Sequence, residues 1–555
     1  MSREDLPLDW CEPRRPGAGK PRVIVIGAGI SGMSTGVYAQ MNGMDSRIYE
    51  SYVMPGGCCT GWVRKGYTFD YCIEWLIGSG AGNAAHQVWQ ELGALDGKTV
   101  VNFEMFNRVV GPDGREVTFY NDPDRLEQHL LEVSPQDEAL IRSFCADVRR
   151  FVKLEMYPVL KPDPLKTWRE RLGEWMGILP SFRLFWRSGA MQMDTFADKF
   201  RDPLLRRAMR NIFFQDPGCF PVLPYLYNLA CAHKNNAGFP QGGSLALARS
   251  VEARYKSLGG RVHYRARVEK VLVEDGRAVG VELKNGTRHY ADYVVSACDG
   301  HTTIYKMLQG RYVNDTVEKL YKDLLLRPDI LYPGVVSVFL GVQGEFDRSE
   351  PHTTTYLLSD SERQQLPSAP QGSLVVQLRS HYSDSFTPPG RSVIHCTYFS
   401  DYAYWHRLRS EDRKEYWAQK RRVADFVRAY LERLYPGLNE RVEVVNVSSP
   451  ATTQRYTGNH NGSILAWKAF TEAEDLANKL LNQGRMQLPG LQRFYMAGQW
   501  IGGGGLIRAA SSGRYVVQYI CDEQGRAFQA YPSQGGKAWH VGQLGLLHSE
   551  EQAEA

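Results

Sequence analysis

Nowhere does this sequence hold about 18 consecutive apolar residues, so it offers no candidate membrane-spanning helix. Its opening stretch, MSREDLPLDWCEPRRPG, has charge and proline but no apolar core of the kind a secretory signal needs, and the expected location is cytoplasmic. The ten cysteines are scattered without a Cys-x-x-Cys pair, which argues against a zinc site or disulfide framework, so no metal is expected. A net charge of +5 is mild for 555 residues, and its Lys and Arg are spread along the chain, which excludes a nucleic-acid partner. No Ser-His-Asp set stands out, and only one GxGxxG follows a strand, so nothing indicates a separate NAD(P)H-binding unit.

The chain is too long for one ordinary compact domain, and two intimately joined domains are expected. Its 12 Trp and 30 Tyr suit a large apolar cavity or a membrane-facing surface as well as a core.

Order is expected from Pro21, after a flexible tail over 1–20. Val23-Ile24-Val25-Ile26 reads as a strand buried on both faces. It enters a glycine turn, a helix from Ile30 to Asn42 and a second strand from Ser46 to Glu50, which makes a βαβ unit. From about 86 to 235 the pattern turns helical. Near Gly242 it returns to a helix through Ser244–Leu258 and strands at 261–264, 268–273, 278–283 and 291–296. Further strands are predicted at 335–343, 372–379 and 392–399, then a helix over 413–434, the glycine run Ala497–Gly505 and a helix beginning near Ala510. The expected class is α/β (α+β overall). A Rossmann-type domain is assembled from 21–85, 236–310 and 471–525, with a substrate domain of mixed antiparallel sheet and helices at 86–235 and 311–470. A C-terminal tail occupies 526–555.

Gly27-Ala28-Gly29-Ile30-Ser31-Gly32 fits GxGxxG. Gly27 permits the tight turn, Gly29 lets a pyrophosphate reach the backbone, and Gly32 lets the helix pack on the strand. Glu50, ending the second strand, is placed to accept hydrogen bonds from an adenosine ribose. Strand, glycines, helix and terminal acid together point to a dinucleotide.

Past Glu50 come Pro55-Gly56-Gly57 and Gly66-Tyr67-Thr68-Phe69-Asp70. Far downstream stand Phe494-Tyr495-Met496-Ala497-Gly498-Gln499-Trp500 and Gly502-Gly503-Gly504-Gly505-Leu506. In these segments the sequence resembles the amine oxidase and phytoene desaturase superfamily of flavoproteins. Gly238–Gly243, Ala291–Ala297 with Asp299, and the C-terminal glycine run place the resemblance nearest the phytoene desaturase, carotenoid isomerase and retinol saturase branch. It departs at Cys58 and Cys59, where relatives commonly carry a basic or small residue, and at Gly502–Gly504, where they often hold proline. The resemblance implies noncovalent FAD. It gives cofactor roles to Gly56, Gly57, Val268, Gly498, Gln499, Gly504, Gly505 and Leu506, beside Gly27, Ala28, Gly29, Ser31, Gly32 and Glu50.

The resemblance also brings Cys72–Trp75 to the substrate face of the flavin, where Glu74 is the candidate catalytic acid or base, or else a salt-bridging carboxylate. Trp75, Trp500 and Arg508 are further substrate-side candidates, with packing or ion pairing as the alternative. The implied activity is desaturation, saturation or isomerisation at a C–C bond of a hydrophobic polyene or isoprenoid, with oxygen, a quinone or a reductase as external electron acceptor or donor. The alternatives are a flavin amine oxidase, which Gln499 after Gly498 disfavours, and a non-catalytic flavoprotein serving as lipid carrier or redox partner. Trp168–Met193 mixes Trp168, Trp175, Phe182, Phe185 and Trp186 with Arg169, Arg171, Arg183 and Arg187. It is expected either to touch the inner face of a membrane peripherally or to be ordinary helix packing.

Overall fold

The computed structural model describes residues 10–13, 19–154, 160–179, 189, 191–213 and 220–533. Two sheets organise it. The first is wholly parallel, with the strands in the order Arg261–His263, Asp45–Tyr49, Arg22–Ile26, Tyr293–Ser296 and Phe494–Met496. Strand β1 (Arg22–Ile26) lies at its centre, where Val23, Ile24 and Val25 have no exposed surface. A continuous β-branched run is stable there because both of its faces are covered. One face is covered by α1 (Ile30–Met41), itself packed against the helices Gly243–Ser257 and Leu506–Glu523. Strand β2 (Asp45–Tyr49) completes the βαβ unit.

The second sheet has seven strands in the order Val442–Ser448, Gly334–Gln343, Arg391–Ser400, Ser373–Leu378, Thr353–Leu357, Met105–Val110 and Glu116–Tyr120. It is antiparallel except where Thr353–Leu357 runs parallel to Met105–Val110. Helix Arg413–Leu434 lies at the bounds expected from the sequence and packs on this sheet through Val423, Val427 and Leu431. The fold class is therefore the expected mixed α/β one.

Four features differ from the sequence expectations. The stretch 86–235 is not only helical: Met105–Val110 and Glu116–Tyr120 form the edge of the second sheet. Buried Asn107 interrupts their apolar alternation, and it is satisfied there by donating to the Asn211 carbonyl and Thr355 Oγ1. The last helix starts at Leu506 rather than near Ala510, because Gly505, at φ +105°, is its N-cap. Within the expected N-terminal tail, Trp10 is 1% exposed, with the guanidiniums of Arg22 and Arg47 over its ring at 5.0 and 4.2 Å. At the other end, 526–533 is tied to the parallel-sheet layer. Arg526 donates to the Asn42 carbonyl, Gln529 N–H to Asn42 Oδ1, and Ser533 N–H to the Gln90 carbonyl.

Candidate active site

The glycine motifs, distant in sequence, converge at the carboxyl end of β1. Gly27 turns at φ +98°, where a Cβ would lie 3.0 Å from Cys298 Sγ. A Cβ on Gly32 would lie 2.0 Å from the Gly27 carbonyl oxygen, so only glycine lets α1 sit this close to the strand. Gly29 is the N-cap of α1, whose first turn holds no acid, and the helix end presents its amides and positive pole to the space in front. Buried Ala28 N–H donates to Glu50 Oε2 at 2.7 Å, and Gly56 N–H donates to the Ala28 carbonyl at 2.8 Å. A Cβ on Gly57 would lie 3.4 Å from Gly29 Cα. From the far end of the chain, Gly498 (φ +100°) approaches so that a Cβ would be 3.1 Å from Ser31 Oγ.

These segments line one cavity of about 2620 Å³. Of the sequence-predicted cofactor residues, Gly27, Gly29, Ser31, Glu50, Gly56, Gly57, Val268, Gly498, Gln499, Gly505 and Leu506 are on its wall, as is Trp500. Ala28 and Gly32 stand behind it as packing positions. Gly504 also stands behind it, where a Cβ would meet the Leu465 carbonyl oxygen at 2.7 Å. The residues fit a dinucleotide: helix amides and close-approach glycines form one stretch, an acid follows the second strand, and Val268 opens a further strand on the same wall.

The substrate-side candidates separate. Trp500, 2% exposed, donates from Nε1 to Asn459 Oδ1 at 3.2 Å. Arg508 lies off the wall, where its Nη1 pairs with Glu474 Oε1 at 2.6 Å, and its guanidinium fills the space a side chain on Gly503 would need. Trp75 also lies off the wall. It packs on Phe106 and Phe213 with ring centroids 4.9 and 5.6 Å away and donates to Asn228 Oδ1 at 2.7 Å.

Glu74 lies behind the cavity segment Thr68–Cys72, with its carboxylate already engaged. Gln377 Nε2 donates to Oε2, and Arg379 Nη2 donates to Oε1 at 3.0 Å. Arg379 itself has no exposed side-chain surface, whereas Glu74 retains 26% of its own. Burial raises the Glu74 pKa above the ordinary carboxylate value, and the Arg379 charge opposes that shift. Asp70 is raised for the same first reason, while it accepts from Ser244 N–H at 2.5 Å and Ser244 Oγ at 2.8 Å. Sequence reasoning missed Arg379. An arginine just past a strand looks like a surface charge, and only the sheet pairing brings it to Glu74.

Cys58 is not poised as a thiolate. Burial pushes the Cys58 thiol up to about 12, and Cys59 donates to the Ser244 carbonyl at 3.3 Å.

A parallel sheet carrying a glycine turn, with a second glycine segment closing over it, has the architecture of a dinucleotide-binding protein. The sequence profile of the flavin containing amine oxidoreductases matches residues 30–521, and the chain belongs to that family. Prolycopene isomerase 2, chloroplastic, from an Oncidium hybrid cultivar is 26% identical over 463 residues, which cover 79% of this chain and 74% of that protein. The all-trans-retinol 13,14-reductase of Homo sapiens is 24% identical over 520 residues, covering 88% of this chain and 83% of that one. Among solved structures, an oxidoreductase from Methanosarcina mazei superposes with a TM-score of 0.56 at 16% identity, covering 90% of this chain and 100% of that one. A triple mutant of putrescine oxidase superposes with a TM-score of 0.57 at 12% identity, covering 91% and 99%. Those two likenesses share the fold. Family membership makes this chain a flavin-dependent oxidoreductase-type enzyme.

Proposed function

We propose that the chain binds FAD noncovalently along the wall from Gly27 to Gly505 and acts on C–C bonds of a hydrophobic polyene or isoprenoid by desaturation, saturation or isomerisation. The observation that carries this reading is the similarity, over most of the chain, to proteins named for prolycopene and all-trans-retinol. The cavity supports it. At about 2620 Å³ it exceeds the ~300–1,000 Å³ of ordinary ligand sites, which leaves room for an elongated second ligand beside a dinucleotide. Trp62, Tyr71 and Trp417 supply aromatic surface to that remaining space.

Bound flavin would supply hydride acceptance or donation at N5. The protein's own part is binding and shaping. The α1 amides and Gly29 would take the pyrophosphate, Glu50 the ribose hydroxyls and Val268 the adenine side, while the backbone around Gly498–Leu506 would take the flavin edge. Glu74, held by Arg379 and Gln377, would set the charge behind Tyr71 and Cys72 and steady positive charge developing on the substrate. Electrons would pass to or from oxygen, a quinone or a separate reductase.

Delivery of a lipophilic substrate fits helix Trp168–Ile178. Trp168, Leu172, Trp175, Met176 and Leu179 are 44–69% exposed and spaced to share one helix face. That face would dip below lipid headgroups as a peripheral membrane contact. Phe182, Arg183, Phe185, Trp186 and Arg187, which belong to the same expectation, lie outside the described residues. Among the described residues no helix is long and apolar enough to cross a membrane. Identifying the nucleotide released on denaturation, and assaying polyenes anaerobically, test the reading.

A further inference from the structure

Two loops that meet on the cavity wall carry a side-chain set that the flavin chemistry does not use. One follows the strand Tyr293–Ser296, which pairs with β1, and holds Asp299 and His301; the other holds His460. Ligand atoms of the three side chains all lie within 4.8 Å of one another. The two imidazole rings are 5.0 Å apart. Asp299, 5% exposed, is fixed by two backbone donors: Thr302 N–H to Oδ1 at 2.7 Å and His460 N–H to Oδ2 at 2.9 Å. Each carboxylate oxygen keeps a further lone pair, and the hydrogen bond from His460 N–H ties the two loops together.

We propose that Asp299, His301 and His460 form a binding site for one divalent transition-metal ion, which pins the loop 459–463 to the end of the parallel sheet. Two imidazoles and one carboxylate are a donor set for Zn²⁺, Fe²⁺ or Co²⁺, and a poor one for Mg²⁺ or Ca²⁺, which favour oxygen. Bonds of about 2.0–2.2 Å require the ligand atoms to close by roughly 1–1.5 Å, within reach of imidazole rotation. Lys306 is the neighbouring opposing charge. It is exposed on a flexible stem, so its ammonium can remain in water when the ion arrives. No spacing signature announces the site, because Asp299 and His460 are 161 positions apart in sequence.

The site is independent of the flavin assignment, and its test is read without turnover. Untagged full-length protein, with flavin content measured separately, is stripped by chelator, dialysed and titrated with Co²⁺. The visible ligand-field bands are followed, and Zn²⁺ is then used as competitor. One Co²⁺ per chain is expected, displaced by one Zn²⁺. His301→Gln and His460→Gln should each weaken binding by on the order of 10- to 100-fold, and Zn²⁺ should raise the melting temperature of the wild type but not of the double variant. Both substitutions leave the Asp299 carboxylate and its backbone donors in place. Absence of saturable Co²⁺ binding in the folded wild type, or equal binding by the folded double variant, overturns the proposal.

Discussion

Arg379, fully enclosed, donates to Glu74 Oε1 at 3.0 Å and to the Ile73 carbonyl at 2.9 Å, so one buried cation fixes both the carboxylate and the backbone next to it. Behind it, His395 Nδ1 lies 3.3 Å from the guanidinium and its ring stacks on Phe339 at 4.1 Å, which in turn stacks on Phe69. The carboxylate of Glu74 is therefore coupled through rigid parts to the strand Tyr67–Asp70, whose Thr68 and Asp70 line the cavity.

Glu74→Gln is expected to keep full flavin occupancy while slowing flavin reduction or reoxidation by substrate, on the order of 10²-fold if the carboxylate acts as an acid or base. It should also cost about 3 kcal/mol of stability, the low end for removing one partner of a buried pair, since Glu74 keeps part of its surface in water. Arg379→Met on top of it should restore stability by removing the unpaired cation. Stopped-flow rates and denaturation midpoints of the singles and the double separate the two roles. A wild-type rate in Glu74→Gln would leave the carboxylate a structural role only.

Gly29 and Gly32 should fail differently. Gly29 has φ −67°, and a Cβ there meets nothing nearer than the Gly56 carbonyl oxygen at 4.0 Å, so Gly29→Val should fold yet obstruct the pyrophosphate and purify without flavin. Gly32→Val should lose the fold itself, because its Cβ would enter the Gly27 carbonyl oxygen. Absorbance near the flavin bands together with circular dichroism distinguishes them; a fully flavinated Gly29→Val would put the pyrophosphate elsewhere.

Trp168→Gln with Trp175→Gln should release the protein from anionic liposomes in flotation and reduce turnover of a lipophilic substrate presented in bilayers. Turnover of substrate in detergent should change less. Unaltered flotation would assign this face to something other than lipid.

Acid should weaken the fold in part through His352, beside the likewise buried His395. Burial pushes His352 from its ordinary value near 6.5 down to about 3, and its ring stacks on Phe103 at 3.6 Å. The folded value lies below the unfolded one, so this contribution is whole above pH ~6.5 and is lost as pH falls toward 3. About 2 kcal/mol of it should go between pH ~6.5 and ~5. Asp70 and Glu74, raised by burial, act in the opposite sense: their contribution is present below about pH 4 and declines as pH rises through their folded values. His352→Phe should keep the stack and shrink the drop in melting temperature between pH ~7.5 and ~5. An unchanged drop would contradict the assignment.

Local pattern made part of this legible in the sequence. Val23–Ile26, the turn Gly27–Gly32 and helix Arg413–Leu434 are each specified by contiguous residues, and Gly32 marks a backbone position where a Cβ would collide. The strand Met105–Val110 is hidden in the sequence because buried Asn107 breaks its alternation, and its parallel partner Thr353–Leu357 lies far along the chain. Arg379, Gln377 and His395 gave no signal, since their function arises from cross-strand register rather than spacing. Glu74 was found by position after Asp70, but its partners were not. The anchoring of Trp10 by Arg22 and Arg47 was likewise invisible amid charge and proline.

The most direct test is an anaerobic one. Purified flavin-loaded protein, once oxidised and once pre-reduced, is mixed with carotenoid and retinoid polyenes in bilayers. Flavin absorbance is followed, and the polyenes are identified by mass spectrometry and chromatography. The account predicts that at least one polyene is desaturated, saturated or isomerised, with flavin absorbance changing in step when the reaction is a net redox one. Polyenes unaltered by either redox state, with a flavin that an amine such as putrescine reduces, would contradict it.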